Sequence, residues 1–592
     1  MLALLFSVYF AFPARNHYWD GIGFALNIEG VPQDHIGHQP EFHATGWPGG
    51  QHGDGAIYYN PNHLLYNAAG RALYVTAKAA WPQVRALDVL VWWSIASSLL
   101  TSCLVFLLTL RFTGRVRASF WITLLFASTA TWWKFSTDAN AYVPSTALLV
   151  CCAWLLSDRQ KPPVAAIAAL HAGAMLLHQI AIWFYPAVWV ALWMHRSWVI
   201  RGRAEKDAAG GNRAGRATAL AAYSALSAGL VTAAYLAVWF GALERPWDLR
   251  AFASWITFNG GDVLDRQPFG AHLLHLWRGT LRVFVGGKLS LAWQYTPLAV
   301  WVPAGALAAF ALVSLLRSAW NQLGSLSKAS ARLPKSAEVT EVPEVPVPES
   351  TVALVPEGGA AAARMPAARI SSAPRSAMPR ALPRGALFLA AWLGAFALFL
   401  CVWLTEYPYY RLFCLPGLFI LAAALGRRHL PRRLDLRHPL PACALLLAVL
   451  NFVLYIYPHS RPEASPPLQV ALAARDNWPP SAVVYFADFN CDNWWLKYFN
   501  MHTRWRRPSK DPRLLLTELR SALRNGDRVY LDTGMLQRLE DPRLRTALDH
   551  EFVWPDSFGI STAKHNIRFA EIRWRESAEK MTPSEREIRF PQ

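Results

Sequence analysis

Asn16–Gly30, NHYWDGIGFALNIEG, is the stretch around which the rest of the chain is organised. It follows the apolar run Met1–Phe12 and carries two carboxylates, Asp20 and Glu29, among aromatic and small residues. A charge just beyond a membrane helix is costly to desolvate, so it is usually exposed, paired or functional. Asp20 is therefore the first candidate for chemistry. The plain alternative is a helix cap, its carboxylate accepting backbone N–H groups at the start of a short interfacial helix.

Outward from this stretch the composition is that of a membrane protein. Of 592 residues, 54% are hydrophobic and 16% charged, whereas soluble chains carry about a quarter charged residues. The apolar residues fall in blocks, and roughly 20 of them suffice to cross a bilayer as a helix. Candidate spans are Met1–Phe12, Ala86–Leu110, Ala118–Trp133, Tyr142–Leu156, Val164–Leu177, Ile180–Met194, Ala217–Phe240, Leu291–Leu316, Ala386–Leu404, Leu412–Leu425 and Pro439–Tyr457. The expectation is a polytopic α-helical membrane protein with about eleven transmembrane helices. Met1–Phe12 is too short to span alone, so the helix is expected to run past Pro13 or to start upstream. It lacks the basic region and small-residue cleavage site of a secretory signal. The halves flanking His178–Gln179 are also short, and one kinked helix there would change the parity downstream.

The net charge of +19 is placed as a membrane topology would place it, because Lys and Arg accumulate in short cytoplasmic loops. With the N-terminus inside, those loops hold Arg111, Arg115 and Arg117; Arg159 and Lys161; Arg196 to Arg216; and Arg427 to Arg437. The short external loops hold only Lys134 and Arg411. The basic excess is thus topogenic, and no nucleic-acid partner is expected. The seven cysteines match neither a zinc site nor a disulfide framework.

Four regions follow. Residues 1–316 form a transmembrane core with a first external loop at 13–85, whose end, Asn62–Ala80, has the periodicity of an interfacial amphipathic helix. Residues 317–384, with repeats such as EVPEVPVPE, bury too little to offset ordering entropy and are expected to be a disordered cytoplasmic linker. Residues 385–458 hold the last three transmembrane helices. Residues 459–592 alternate strand and helix patterns: SAVVYFADF, Pro512–Arg524, DRVYLDTG and NIRFAEIRW. They form a small C-terminal α/β domain that the topology places outside the cytoplasm.

The outer turns collect polar groups: Asp138 and Tyr142 in FSTDANAYVPS, His178–Gln179, and Tyr410 with Arg411 in TEYPYYRLFCLP. A cavity so lined suits an anionic lipid head group and a nucleophile, since arginine grips phosphate bidentately and a carboxylate takes the proton of an attacking hydroxyl. Each residue also has a plainer role. Asp138 would cap the helix beginning near Tyr142, Arg411 would snorkel within an aromatic belt, and His178 would be a satisfied core histidine. The six histidines of loop 13–85 match no metal template, and Asp488, Asn490 and Asp492 lack the glycine and glutamate of a calcium loop.

These features together resemble the GT-C superfamily of membrane glycosyltransferases. NHYWDGIGFA, TDANAYVPS and AMLLHQIAIWFYPA are similar to segments of its bacterial protein O-mannosyltransferase-like branch. The resemblance implies an inverting glycosyltransferase in a bacterial inner (plasma) membrane. It would move a sugar from a polyprenyl-phosphate-linked donor lipid to a glycan, lipid or protein acceptor on the extracytoplasmic face. It implies Asp20 as general base. Glu29, Asp138, Tyr142 and His178 would contact substrate, and Tyr410 with Arg411 would hold the donor phosphate. A divalent metal ion is the one cofactor to consider, and the D-x-D pair that would signal it is missing from loop 13–85. A transporter, flippase or polymerase-like component of cell-envelope polysaccharide assembly is the other class open. The nearly uncharged spans Ala86–Leu110, Ala217–Phe240 and Leu291–Leu316 speak for a one-sided site instead.

Overall fold

A computed structural model of the chain describes residues 1–30, 59–157, 162–194, 208–257, 269–331, 384–403, 405–430, 438–486, 493–506, 512–532, 542–553, 556–561 and 566–575. His35, His38, His43 and His52 of the first loop, and the Asp488–Asp492 run, lie outside the described residues.

Each apolar run carries helix. Four helices are long and apolar enough to cross a membrane: Ala86–Thr113, Ala214–Ala242, Leu298–Trp320 and Pro439–His459. Shorter apolar helices cover the other runs: Leu2–Ala11, Val116–Ala127, Tyr142–Leu156, Val164–Leu177, Gln179–Met194, Gly385–Cys401 and Leu415–Leu425. The protein is an integral membrane protein of polytopic helical type.

We label four helices that build the site. Helix α1 is Leu2–Ala11, α2 is Trp19–Glu29, α3 is Ala86–Thr113 and α4 is Tyr142–Leu156. Helix α2 stops at Gly30, whose φ of 73° is the left-handed conformation that closes a helix end. Helix α4 starts at a cap made by Asn140, whose Oδ1 accepts the Val143 N–H at 2.9 Å. Asp138 is therefore not its cap.

Some boundaries differ from the sequence reading. Ala118–Trp133 is broken at Ser128–Thr129, and a separate helix covers Ala130–Ser136. The helix expected to end at Leu316 runs on to Ala331, into the stretch expected to be linker. Its extension, RSAWNQLGSLSKASA, holds no proline and lengthens an existing helix, which needs no new nucleation. The rest of the linker, 332–383, lies outside the described residues. At His178 the backbone is extended (φ −157°, ψ 118°), so Val164–Leu177 and the following 3₁₀ turn Gln179–Phe184 are separate elements. The amphipathic segment after the first loop forms Tyr66–Ala80.

The C-terminal region holds a six-stranded sheet in the order β2-β1-β3-β6-β4, with β5 beside β6. Its strands are β1 Val483–Tyr485, β2 Arg504–Arg506, β3 Val529–Asp532, β4 Phe552–Val553, β5 Asp556–Ser561 and β6 Asn566–Trp574. β1 runs parallel to β2 and β3, while β6 is antiparallel to β3, β4 and β5. Side chains alternate across a strand, and both faces are buried. Val483, Tyr485, Val529 and Leu531 pack with Leu515 and Leu519 of the helix Pro512–Arg524. Val484 and Tyr530 point the other way, into the same core as the membrane helices. The sheet is thus seated on the helical body.

Candidate active site

Residues 14–20 run as a partition. Ala14 N–H donates to the Thr137 carbonyl at 3.0 Å, and Arg15 and Asn16 N–H groups donate to the His459 carbonyl at 2.7 and 3.1 Å. Arg15 and His17 face one cavity, of about 470 Å³. Tyr18, Trp19 and Asp20 face another, of about 420 Å³.

Asp138 fixes this partition. Its carboxylate is fully buried and accepts from His17 Nδ1 at 3.0 Å, the Tyr18 N–H at 2.7 Å and the Ala139 N–H at 2.9 Å, and it pairs with the Lys134 ammonium. Burial alone would raise its pKa. The Lys134 charge and the bonds from His17 and Lys134 outweigh burial and hold the carboxyl below its ordinary range. Gly21 completes the contact between α2 and the Asp138 turn, since a Cβ there would lie 2.4 Å from the Ala139 carbonyl oxygen.

The second cavity gathers Asp20, Tyr142, His178 and Tyr410, four residues from four stretches of the chain. Asp20 sits in the first turn of α2, and the helix has no side-chain cap at its start. Asp20 is the only carboxylate among the described residues lining the cavity, and no described lysine or arginine lines it. Burial raises its pKa to about 6, with a Tyr18 hydrogen bond pulling the other way. Rings form the walls: Tyr142 stands 4.6 Å from His178, 5.1 Å from Tyr409 and 6.2 Å from Tyr410.

The other expected site residues lie elsewhere. Glu29 faces away from the cavity, at the far end of α2. It accepts from Arg85 Nε at 3.0 Å, from the Ala86 N–H at 2.7 Å and from the Tyr498 hydroxyl at 2.9 Å. A carboxylate there caps α3 and ties α2 to the C-terminal domain, where Trp19 also stacks on Trp494 at 6.3 Å. Arg411 is 4% exposed and points behind the wall. Its Nε donates to Thr280 Oγ1 at 3.1 Å, its Nη1 to the Tyr407 carbonyl at 2.9 Å, and its Nη2 to the Leu276 and Thr405 carbonyls at 3.0 and 2.8 Å. It therefore neither snorkels nor faces the cavity. Among the described residues no three His, Cys, Asp or Glu side chains gather as a metal would need.

Sequence reasoning missed His63, Tyr18, Trp183 and Trp403 in the cavity wall, and His17 and Lys134 as partners of Asp138. Lys134 did leave a signal. It and Arg411 are the two cations that break the charge asymmetry of the short loops, and both are buried.

The sequence matches no family model and no curated protein. Solved structures share its fold. ArnT from Cupriavidus metallidurans bound to undecaprenyl phosphate is 12% identical, with a TM-score of 0.50. The same protein in the apo state is 13% identical, with a TM-score of 0.52. Each comparison covers 96% of this chain and 96% of ArnT. The fold is shared with ArnT over nearly the whole chain, the C-terminal sheet included. Both of these structures are of ArnT, and they lend little to the O-mannosyltransferase-like branch.

Proposed function

We propose that this protein is a membrane glycosyltransferase. It moves a sugar from a polyprenyl-phosphate-linked donor to an acceptor hydroxyl on the extracytoplasmic face of a bacterial inner membrane, with inversion. The observation that carries the reading is Asp20, the single carboxylate among the described residues of an aromatic cavity, at the end of a partition shared with a second cavity. A pKa near 6 leaves Asp20 ionised at neutral pH yet basic enough to accept a proton in the transition state. Asp20 takes the acceptor hydroxyl's proton as its oxygen bonds to the anomeric carbon. The bond from that carbon to the phosphate oxygen breaks on the opposite face, and the lipid phosphate leaves with the electron pair. Tyr142, His178 and Tyr410 bound the space in which the ring is held.

Asp138, Glu29 and Arg411 act in this scheme as positioning residues. Asp138 holds the partition, Glu29 anchors α2, and Arg411 ties the Tyr407–Tyr410 turn to the helix Phe269–Phe284. The neighbouring cavity is lined by Arg15, Arg85 and Arg475, with Asp88, and by Phe10, Val91, Trp92 and Ile95, a mixture suited to the charged head and upper chain of a lipid.

The test uses purified protein in detergent with radiolabelled undecaprenyl-phosphate sugars, comparing wild type with Asp20→Asn. Turnover should fall by about 10²- to 10⁴-fold, while the variant still binds donor. Turnover preserved in the variant would refute the base assignment. Tight binding of sugar lipids with no turnover by wild type, across acceptors, would favour a carrier instead.

A further inference from the structure

Two histidines in the Asp20 cavity have tautomers that their own bonds determine. His63 Nδ1 lies 3.3 Å from the Leu177 carbonyl oxygen, which can only accept, so Nδ1 carries the proton. His178 Nδ1 accepts the Ile180 N–H at 3.3 Å, so that nitrogen is bare. Burial lowers the pKa of both rings, His63 to about 4 and His178 well below its ordinary value, with its neighbour His63 as a second cause. Both are therefore neutral at pH 7. It follows that His63 Nε2 is a bare acceptor and His178 Nε2 bears a hydrogen. The rings stand 4.5 Å apart at 87°. His178 is 4% exposed, and its Nε2 has no partner among the described residues. A buried N–H left unpaired is costly, so this one is expected to meet a ligand or a water.

We propose that His63 and His178 are a neutral acceptor–donor pair that reads two hydroxyl groups of the sugar ring held beside Asp20. The inference rests on the glycosyltransferase reading for the identity of the ring, and on hydrogen-bond geometry for the pair itself. His63 Nε2 receives a hydrogen bond from one hydroxyl, and His178 Nε2–H donates to the oxygen of another. A ring lacking either hydroxyl, or presenting it on the other face, leaves one nitrogen unpaired. The pair thus determines sugar specificity without carrying charge, and no proton moves through it.

The first measurement is histidine ¹⁵N NMR on the full-length Asp20→Asn protein in detergent, with the two residues assigned from His63→Gln and His178→Gln. His63 should show a protonated Nδ1 and a bare Nε2, and His178 the reverse. The same tautomer in both, or an imidazolium at pH 7, overturns the pair whether or not the protein is a transferase. The second measurement titrates the Asp20→Asn protein with undecaprenyl-phosphate glucose, mannose, galactose and arabinose, with undecaprenyl phosphate as control. At least one sugar lipid should move both Nε2 signals, and the sugarless lipid neither. If none does, the proposal fails, and turnover by wild type then shows separately whether the transferase reading survives. Third, His63→Phe and His178→Phe should each weaken the responding sugar lipid about 10- to 100-fold. Among its monodeoxy forms, one should bind wild type and His63→Phe alike, and a different one wild type and His178→Phe alike. Equal penalties across all deoxy forms would mean that the rings only fill space.

Discussion

Replacing Asp138 by Asn keeps the side-chain volume and removes one charge from a buried pair. The structure sets the size of the effect. Asp138 is fully buried and the Lys134 side chain is 10% exposed, so the ammonium cannot recover its hydration by turning outward. Breaking such a pair from one side costs about 3–5 kcal/mol, because the other charge stays buried and uncompensated. Asp138→Asn should therefore destabilise the protein by about that amount. Lys134→Met alone should cost less, since the carboxylate keeps donors at His17, Tyr18 and Ala139. The double variant has neither charge and should be at least 2 kcal/mol better than the sum of the singles, a roughly estimated coupling at the upper end for residues in contact. Unfolding free energies in detergent micelles close the cycle. The wild-type contribution should persist at neutral pH and fade as pH falls through the depressed Asp138 pKa, whereas Asp138→Asn should show no such fade. Singles that add to within about 0.5 kcal/mol would refute the coupling.

Three further outcomes follow from the same geometry. If Asp20 titrates near 6, the ionised fraction falls from about 0.9 at pH 7 to about 0.1 at pH 5, and kcat/KM should drop close to tenfold with it; a profile flat to pH 5 would argue against Asp20 as base. Gly21→Ala puts a Cβ 2.4 Å from a backbone oxygen, so α2 must shift at a cost of about 1–3 kcal/mol. Turnover should fall more than donor affinity, and unchanged stability and rate would contradict the tight approach. Arg411→Lys removes a fork that spans four acceptors on two elements and should lower stability by about 1–3 kcal/mol. If it instead leaves stability intact and weakens only the donor lipid, Arg411 holds phosphate, as the sequence pattern led us to expect.

How much of this could be read from the sequence depends on the range over which each feature is determined. The helical membrane architecture was legible because each span carries its own signal, a run of apolar residues. The strands Val529–Asp532 and Asn566–Trp574 were legible for the same reason, while Arg504–Arg506 and Phe552–Val553 were not, since two or three residues become strand only when a neighbour pairs with them. At the site, position along the chain pointed to the right turns but not to the direction of each side chain. Asp20, Tyr142, His178 and Tyr410 face the cavity, whereas Glu29, Asp138 and Arg411 come from the same turns and face protein. What separates the groups is long-range pairing: Glu29 meets Tyr498, Asp138 meets His17, and Arg411 meets Leu276 and Thr280. The charge asymmetry of the loops nevertheless held part of the answer. A lysine or arginine in a short loop expected to be external runs against the positive-inside pattern, and the two so placed by the sequence reading, Lys134 and Arg411, are both buried and bonded to protein. A cation that serves topology needs only to stay in water on the correct side. One that runs against topology needs a reason of its own, and in this chain each reason is a bond that positions a wall of the Asp20 cavity.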